Sequence, residues 1–356
     1  MLKQKVKKVL KPVYHVFTRI DHSLQAFSVI NNPSYFPEVE NRKSKSKQLA
    51  ENLVWGLKYD EMNEFYHLYG FDKYDVQQSA YNDYASFMVT REAANRLGSP
   101  SSQISILRDK YLFYIFMSRI GMPVPKVYGV IVHGRVFDID LNPVDDSFLK
   151  NRIDYFVKDL DGECASFVKH IKDFDQFDQI RKSGALNEGH YILQEKVVQS
   201  GSMNVINPNA INTYRIVTVN KGDGKPYLFS GILRVGTSKT GNVDNWAAGG
   251  LAIGVNEKTG YLQKYGFYKP GHGTKEEVHP DTGVIFSEFK APQFEEAVRI
   301  AIEAHKHLFG IRTIGWDIAI TENGPIFIEG NDNWEISLMQ ACNGGLKAEW
   351  NEAMKG

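Results

Sequence analysis

Oxygen-bearing side chains recur at one end of a predicted β-hairpin near the C-terminus. Asp317 lies in the first of two β-branched runs, and the second run ends in Glu329, Gly330 and Asn331. Because side chains alternate across a strand, Glu329 and Asn331 share a face. A three-residue loop over 322–324 also pairs Asp317 with Glu329, whereas a two-residue Asn-Gly loop sends Asp317 to the opposite face. The first register would bring together three oxygen ligands suited to Mg2+, although an isolated hairpin of this composition is more often one with solvated acids.

Two arginines on neighbouring predicted strands could bind phosphate or carboxylate oxygens. Arg215 lies near the start of one strand and Arg234 near the end of the next. A guanidinium presents paired N–H donors that match such oxygens. Asn245 follows in a loop with Gly249 and Gly250, and residues without a Cβ let the backbone approach a ligand closely. Arginines that pair with nearby acids for structural reasons are an equally good interpretation of the sequence.

A lysine and a strand end could bind a nucleotide. Lys158 ends an apolar strand before an acidic loop with one glycine, and a lysine in that position can bind phosphate as a point charge. The segment from Gln194 and Glu195 to Val197 could offer backbone groups to an adenine edge and aliphatic side chains to its faces. Taken alone, a surface lysine and an ordinary strand end are the simpler interpretations.

The elements that must position these side chains fall into two parts. The first hundred residues look helical, with helical spacing over 46–57 and 60–69, and a Ser-Pro-Ser-Ser segment suggests a boundary near residue 100. The helix that follows carries Lys110 and ends at Gly121. Strands are predicted at 127–132, 155–158, 191–194, 214–219 and 227–235, and helices at 173–183 and 292–309. This pattern predicts an α+β fold with mostly antiparallel sheets flanked by helices.

Composition excludes several classes of protein. The 356 residues suffice for two or three domains, and 42% hydrophobic and 24% charged residues are ordinary for a soluble globular protein. The formal net charge is zero, so no global field would recruit nucleic acid. Two cysteines form no disulfide framework, no apolar run reaches the ~18 residues of a membrane span, and no signal-peptide core is present. We therefore expect a cytoplasmic protein.

Local charge is concentrated at the N-terminus. Five lysines fall within residues 3–11 and are interleaved with Val6, Val9 and Leu10. Such a segment could be a basic amphipathic helix on an anionic membrane surface. A solvated helix docked on the body of the protein is the preferred interpretation, so membrane contact is possible but not expected.

Histidine and cysteine spacing gives no sign of a zinc site, since neither His-x-x-His nor Cys-x-x-Cys occurs. His279 lies in a His-Pro-Asp-Thr-Gly turn and could touch a substrate, but a histidine in a turn usually has no chemical role.

The order and spacing of these features resemble the ATP-grasp superfamily. The sequence runs from a helical lysine through a strand lysine, a hinge, two arginines and an Asn-x-x-x-Gly-Gly loop to Asp317, with Glu329 twelve residues on and Asn331 two further. The C-terminal half is similar to the ribosomal-protein glutamate ligases. The phrases around His279, Trp316 and Glu329 more specifically resemble the sugar-transfer-associated ATP-grasp family, over roughly residues 95–345.

The resemblance implies an ATP-grasp fold, in which two α+β subdomains with mostly antiparallel sheets grip ATP. Residues 99–197 would form the small subdomain with its lead-in helix, residues 198–356 the large subdomain with the metal site, and residues 1–98 a helical region before them. Three departures stand out: no acid that would grip the ribose occurs in 199–203, the loop after Lys158 is poor in glycine, and the region before the grasp is helical.

Site roles follow from the resemblance residue by residue. ATP phosphates would be contacted by Lys110 and Lys158, and ATP would be held further by the hinge and the glycine loop, which are Gln194, Glu195, Val197, Gly249 and Gly250. Phosphates or an acyl-phosphate intermediate would be bound by Arg215, Arg234 and Asn245. One or two Mg2+ ions would be held by Asp317, Glu329 and Asn331.

The predicted function is that of an ATP-dependent carboxylate–amine ligase acting through an acyl phosphate, with a role in surface-polysaccharide biosynthesis. Its partners would be a small carboxylic acid and an amine, either of which could be sugar-linked, and not nucleic acid. The alternatives are a small-molecule or sugar kinase on the same fold and a non-catalytic nucleotide-binding accessory module.

Overall fold

The computed structural model describes residues 17–22, 24–32, 40–76, 78–87, 90, 101–161, 167–241 and 243–355. The lysine-rich start of the chain, the expected boundary near residue 100 and most of the acidic loop after Lys158 lie outside these residues. Within the described part of the chain, no helix is both long and apolar enough to cross a membrane.

A five-stranded antiparallel sheet carries Lys158 and Gln194. Its strands, in spatial order β2-β1-β5-β3-β4, are β1 Val127–Val132, β2 Arg135–Asp138, β3 Tyr155–Asp159, β4 Val168–Ile171 and β5 His190–Glu195. Two helices, α5 Asp146–Lys150 and α6 Phe174–Lys182, belong to the same part of the chain. Tyr155 and Val157 are fully buried in a core with Phe177, so alternation along β3 directs Lys158 to the other face of the sheet.

A seven-stranded sheet carries the predicted arginines and acids. Its spatial order is β10-β9-β8-β7-β6-β11-β12, and its strands are β6 Thr213–Val219, β7 Tyr227–Val235, β8 Leu251–Val255, β9 Leu262–Tyr268, β10 Lys275–Glu276, β11 Thr313–Thr321 and β12 Gly324–Asn331. Helix α8, Phe294–His307, buries its apolar side against this sheet through Phe294, Ala297 and Ala301. The short helix α7, Gly201–Asn204, lies between the two sheets in sequence.

The helix that carries Lys110 is divided in two, which corrects the prediction of one continuous helix. The two parts are α3 Ser101–Arg108 and α4 Lys110–Arg119. Asp109 between them is extended, and its carboxylate accepts the N–H groups of Tyr111 and Leu112, so it caps α4. Lys110 is therefore the first residue of a helix, and its backbone N–H donates to the carbonyl of Leu160 at 2.9 Å.

The N-terminal region is helical only in part. It contains α1 Ala26–Asn31, α2 Lys45–Tyr59 and a 3₁₀ turn over 78–83. The helix predicted over 60–69 is wrong: Asp60 ends α2 in the left-handed conformation, and the following residues form turns. Apolar residues in those turns, such as Tyr66 and Phe71, are buried because they pack in one hydrophobic cluster and not because they lie on one face of a helix.

The N-terminal region packs on the C-terminal helices α9 Ile336–Asn343 and α10 Lys347–Ala353. Phe65 stacks on Trp246 with ring centroids 6.0 Å apart, within a cluster that includes Trp334. Gln340 of α9 accepts the N–H of Ala85 at 2.7 Å and donates to its carbonyl at 3.0 Å. The α+β prediction is confirmed: antiparallel sheets and helices follow a partly helical N-terminal region.

Candidate functional site

Asp317 and Glu329 pair across the hairpin by a route that the sequence did not predict. The turn between β11 and β12 has two residues, Glu322 and Asn323, and not the expected three. The register then shifts between Asp317 and Ile318, so that Ile328 is an extra residue in β12. This β-bulge places Glu329 opposite Asp317, whereas an unbroken ladder would have placed Ile328 there. The predicted pairing is present, and the three-residue loop proposed for it is wrong.

Asp317 is held by both predicted arginines. Arg215 lies directly opposite it on β6 and binds its carboxylate through Nε and through Nη2, the latter at 3.0 Å. Arg234 donates Nη2 to the same carboxylate at 2.9 Å and lies 3.3 Å from Asp244. Asp317 is only 2% exposed. Burial alone would raise the pKa of Asp317, but the two arginines outweigh it and hold that pKa below its usual value.

Glu329 has the opposite electrostatic balance. Its pKa is raised by burial and by the adjacent carboxylate of Asp317, and the arginines oppose this only in part. Asn331 shares the face of Glu329 as predicted, and its amide Nδ2 donates to Glu329 Oε1 at 3.2 Å. The amide group of Asn331 and the carboxylate of Glu329 thus lie side by side, with the amide nitrogen toward the carboxylate. A cation would relieve the repulsion between the two carboxylates that now raises the pKa of Glu329.

The side-chain oxygens of Asp317, Glu329 and Asn331 are of the type that a hard divalent cation prefers, with Asp317 the most constrained of the three. In the described ranges, no group of three or more His, Cys, Asp or Glu side chains is arranged to hold a metal ion. A site here would therefore depend on Glu329 and on the amide oxygen of Asn331 as well as on Asp317. Because both oxygens of Asp317 already accept arginine N–H groups, its share in binding a cation is limited to the remaining lone pairs.

Lys158 of the five-stranded sheet is within electrostatic range of Glu329. Its ammonium donates to Gln194 Oε1 at 2.9 Å across the β3–β5 ladder. Burial lowers the pKa of Lys158 to about 8, an effect that Glu329 opposes and Lys110 strengthens. Lys158, Lys110 and Glu329 are therefore close enough to interact, although they come from three different elements.

The hinge residues have structural partners in this structure. The Glu195 carboxylate accepts the N–H of Lys126 at 2.6 Å, and the Glu195 N–H donates to the Lys126 carbonyl at 2.9 Å. Val197 is half-buried in the segment that follows β5. Two residues beyond Val198, Ser200 donates its N–H to the Ile320 carbonyl at 2.8 Å. The hinge is thereby tied to the same hairpin that carries Asp317 and Glu329.

The Asn245 loop is built differently from the expectation. Asn245 caps a 3₁₀ turn over 246–248 by accepting the N–H of Ala247 at 2.9 Å. A Cβ on Gly250 would lie 2.8 Å from the carbonyl oxygen of Asp244, and Gly249 has a φ of +102°. The backbone of the loop itself thus requires both glycines. This reason replaces the expected one, which was close approach of the backbone to a ligand. Binding of a ligand by this loop stays a prediction.

Sequence reasoning missed a second charged cluster beside the arginines. Lys269, at the end of β9, lies 3.7 Å from Glu335, which precedes α9. Burial raises the pKa of Glu335, and Lys269 and Arg215 oppose the rise. Burial likewise raises the pKa of Glu64, from the N-terminal region, again opposed by Lys269. These residues are far apart in sequence, so only the tertiary packing of the N-terminal region could have revealed them.

His279 is buried and has a structural role. Its Nε2 donates to the Gly236 carbonyl at 2.9 Å, and its Nδ1 accepts the N–H groups of Asp281 and Thr282, both at 3.3 Å. Both ring nitrogens are therefore used in fixing the turn.

Comparison with known proteins identifies the family. A model of the family described as sugar-transfer associated ATP-grasp matches residues 95–353. This chain belongs to the sugar-transfer associated ATP-grasp family. The resemblance to it is thereby confirmed, over a range close to the expected one. A search of curated proteins gave no match.

Several solved structures are similar to this chain at low sequence identity. The biotin carboxylase domain of 2-oxoglutarate carboxylase from Hydrogenobacter thermophilus, solved with MgADP and bicarbonate, matches with 11% identity, a TM-score of 0.42 and coverage of 70% of this chain and 46% of that chain. An L-amino acid ligase from Bacillus licheniformis matches with 12% identity, a TM-score of 0.41 and coverage of 74% and 52%. A RimK domain ATP-grasp protein from Sphaerobacter thermophilus matches with 12% identity, a TM-score of 0.37 and coverage of 70% and 69%. The chain thus spans about half the length of the biotin carboxylase structures that it matches.

Proposed function

We propose that this chain is an ATP-dependent ligase that joins a carboxylic acid to an amine through an acyl phosphate. The observation that carries the proposal is the electrostatic position of Glu329. It interacts with Arg215 and Arg234 of its own sheet, and it acts on Lys158 of the other sheet. Cations on two sheets that converge on one acid pair suit the transfer of a phosphoryl group, which needs positioned charges more than covalent help.

In the first half-reaction, a carboxylate oxygen of the acid attacks the γ-phosphorus of ATP, the bond to the β-phosphate oxygen breaks, and ADP leaves. Lys110 and Lys158 would neutralise the nucleotide phosphates from the side of the five-stranded sheet. Arg215, Arg234 and Asn245 would bind the phosphoryl group or the acyl phosphate from the other side. Glu329, Asn331 and Asp317 would hold Mg2+, which when bound offsets the charge of the phosphates.

In the second half-reaction, the amine attacks the acyl carbon, the bond from that carbon to the phosphate oxygen breaks, and the amine proton passes to phosphate or solvent. An amide and inorganic phosphate result. We place Gln194, Glu195 and Val197 beside the adenine, since they form the segment where β5 ends next to Lys158. Gly249 and Gly250 would position the loop that carries Asn245.

We further propose that one substrate is sugar-linked and that the reaction serves surface-polysaccharide assembly in the cytoplasm. The family description, sugar-transfer associated, supports the first part of this proposal. The cytoplasmic location is proposed because ATP is supplied there. Membership of an ATP-grasp family supports ATP, together with Mg2+, as the cofactors.

Hydroxylamine trapping tests the proposal. The protein would be incubated with ATP, Mg2+, hydroxylamine and a panel of carboxylic acids that includes uronic and amino acids. A ligase yields ADP together with a hydroxamate, because hydroxylamine intercepts the acyl phosphate. If a hydroxyl compound becomes stably phosphorylated and no hydroxamate forms, the protein is a kinase. If the protein binds nucleotide but forms no ADP with any of the acids, it is an accessory module.

A further inference from the structure

The N-terminal helical segment has two apolar sides, and among the residues that the structure describes only one of them is covered. Residues 17–22 and 24 are helical, helix α1 spans Ala26–Asn31, and the N–H of Gln25 donates to the Asp21 carbonyl at 2.9 Å across their junction. Ala26, Val29 and Ile30 are buried. On that side of the segment, Thr18 and His22 both contact the carboxylate of Asp60 at 3.2 Å.

The opposite side presents large apolar side chains to solvent. Phe17 is 67% exposed, Ile20 47%, Leu24 57% and Phe27 49%. Their spacing of three, four and three residues places them on one face of an α-helix. We call these four residues the exposed stripe. A surface helix needs one apolar face to dock on its protein, so the second face calls for another partner.

The charge around the exposed stripe indicates what that partner is. The first 32 residues contain six basic residues and one acid: Lys3, Lys5, Lys7, Lys8, Lys11 and Arg19 against Asp21. The whole chain has no net charge, so this excess is local. Pro12 separates the lysines from the exposed stripe, and the lysines contribute positive charge close to it in sequence.

We propose that the exposed stripe docks on an anionic lipid surface, toward which the positive charge of the neighbouring sequence attracts it. Apolar side chains on one helical face together with basic residues match the two requirements for interfacial binding. A second copy of the chain fits less well, because its own first 32 residues would bring six more basic residues and only one acid. The expectation that the N-terminal segment merely docks on the protein body accounts for Ala26 and Val29 but not for Phe17 and Leu24.

Vesicle co-sedimentation of the full chain tests this proposal. Wild-type protein should bind vesicles of phosphatidylcholine mixed with phosphatidylglycerol, bind them less at high salt, and bind pure phosphatidylcholine weakly. Replacing Phe17, Leu24 and Phe27 with Gln should lower the partition coefficient by about tenfold for each side chain. Because these side chains are exposed, the variant should keep the wild-type thermal midpoint.

Matched controls come from exposed apolar residues elsewhere. Ile153→Gln and Phe309→Gln change side chains that are 73% and 68% exposed, and they should bind like wild type. Lys5→Gln, Lys7→Gln and Lys8→Gln, tested separately, should each lower binding to anionic vesicles by about fivefold. The proposal fails if the wild-type protein does not bind anionic vesicles, or if the stripe variant binds them as the wild type does. It also fails if sedimentation velocity shows that the stripe drives self-association instead.

Discussion

At the scale of residues, the site is an acid pair whose two members have opposite electrostatic surroundings. Arg215 and Arg234 hold Asp317 ionised, while the pKa of Glu329 is raised by burial and by Asp317 itself. Asp317 thus organises the arginines, and Glu329 is the acid whose charge a cation would stabilise most. Of the three predicted metal ligands, Asp317 has the greatest structural role, because it binds both arginines.

Asp317→Asn should therefore destabilise the folded protein. The change removes the negative charge between two guanidinium groups that have little access to water, and breaking such a buried pair costs about 3 kcal/mol or more. The free energy of unfolding from chemical denaturation would measure this cost. Asp178→Asn is a suitable control, since its ion pairs with Arg181 and Lys182 lie at the surface and should contribute little. Equal stability of the two variants would show that the arginines do not depend on Asp317.

The lowered pKa of Lys158 predicts how the affinity for nucleotide varies with pH. Its pKa is lowered to about 8 in the nucleotide-free protein, so the ammonium loses its proton as the pH rises through that value. Affinity for a non-hydrolysable ATP analogue should therefore fall above about pH 8, since binding must then include uptake of a proton. Lys158→Arg stays charged and should show a flatter profile in calorimetric titrations. Identical pH profiles for the two proteins would show that Lys158 does not contact the phosphates.

At the scale of elements, the hairpin shows why the pairing could be anticipated and its geometry could not. Alternation in β12 correctly put Glu329 and Asn331 on one face. The sequence carries no clear signal for the bulge at Ile328, because the extra residue is another β-branched one in an unbroken run. A two-residue turn and a bulge give the same pairing as a three-residue loop, so spacing alone could not separate them.

The N-terminal region shows a second limit of sequence reasoning. Helical spacing predicted α2 well, but the same spacing over 60–69 came from aromatic residues that pack in turns. The charged cluster of Glu64, Lys269 and Glu335 brings together three segments that are far apart in the sequence. Local periodicity predicted helix α8 and the strands β1, β3, β5, β6, β7, β11 and β12, but it missed β2, β4, β8, β9 and β10. Contacts between distant segments required the tertiary structure.

Docking of the N-terminal region should depend on Gln340. Gln340→Ala would leave the N–H and carbonyl of Ala85 without their partners in a buried interface, at a cost of about 1–3 kcal/mol. Denaturation of the variant would measure this loss. Gln176→Ala provides the comparison, because that side chain makes one exposed bond to the Lys172 N–H. A loss no greater than that of Gln176→Ala would mean that the aromatic contacts, led by Phe65 on Trp246, suffice for docking.

At the scale of the whole molecule, two sheets and the N-terminal region contribute to one charged site. The five-stranded sheet supplies Lys158, the seven-stranded sheet supplies the arginines and the acid pair, and the N-terminal region brings Glu64 close to Lys269. In the same N-terminal region, the exposed stripe is the proposed surface for lipid. The molecule thus combines a proposed nucleotide site with a proposed means of staying near a membrane.

The central claim is that this site binds Mg2+ together with ATP and that Glu329 is the acid most responsible. Calorimetric titration with a non-hydrolysable ATP analogue, with and without Mg2+, tests it without knowledge of the other substrates. Wild type and the exposed control Glu295→Gln should bind the analogue more tightly when Mg2+ is present. Glu329→Gln should keep metal-free binding and lose the gain from Mg2+. An undiminished gain from Mg2+ in Glu329→Gln would contradict the account.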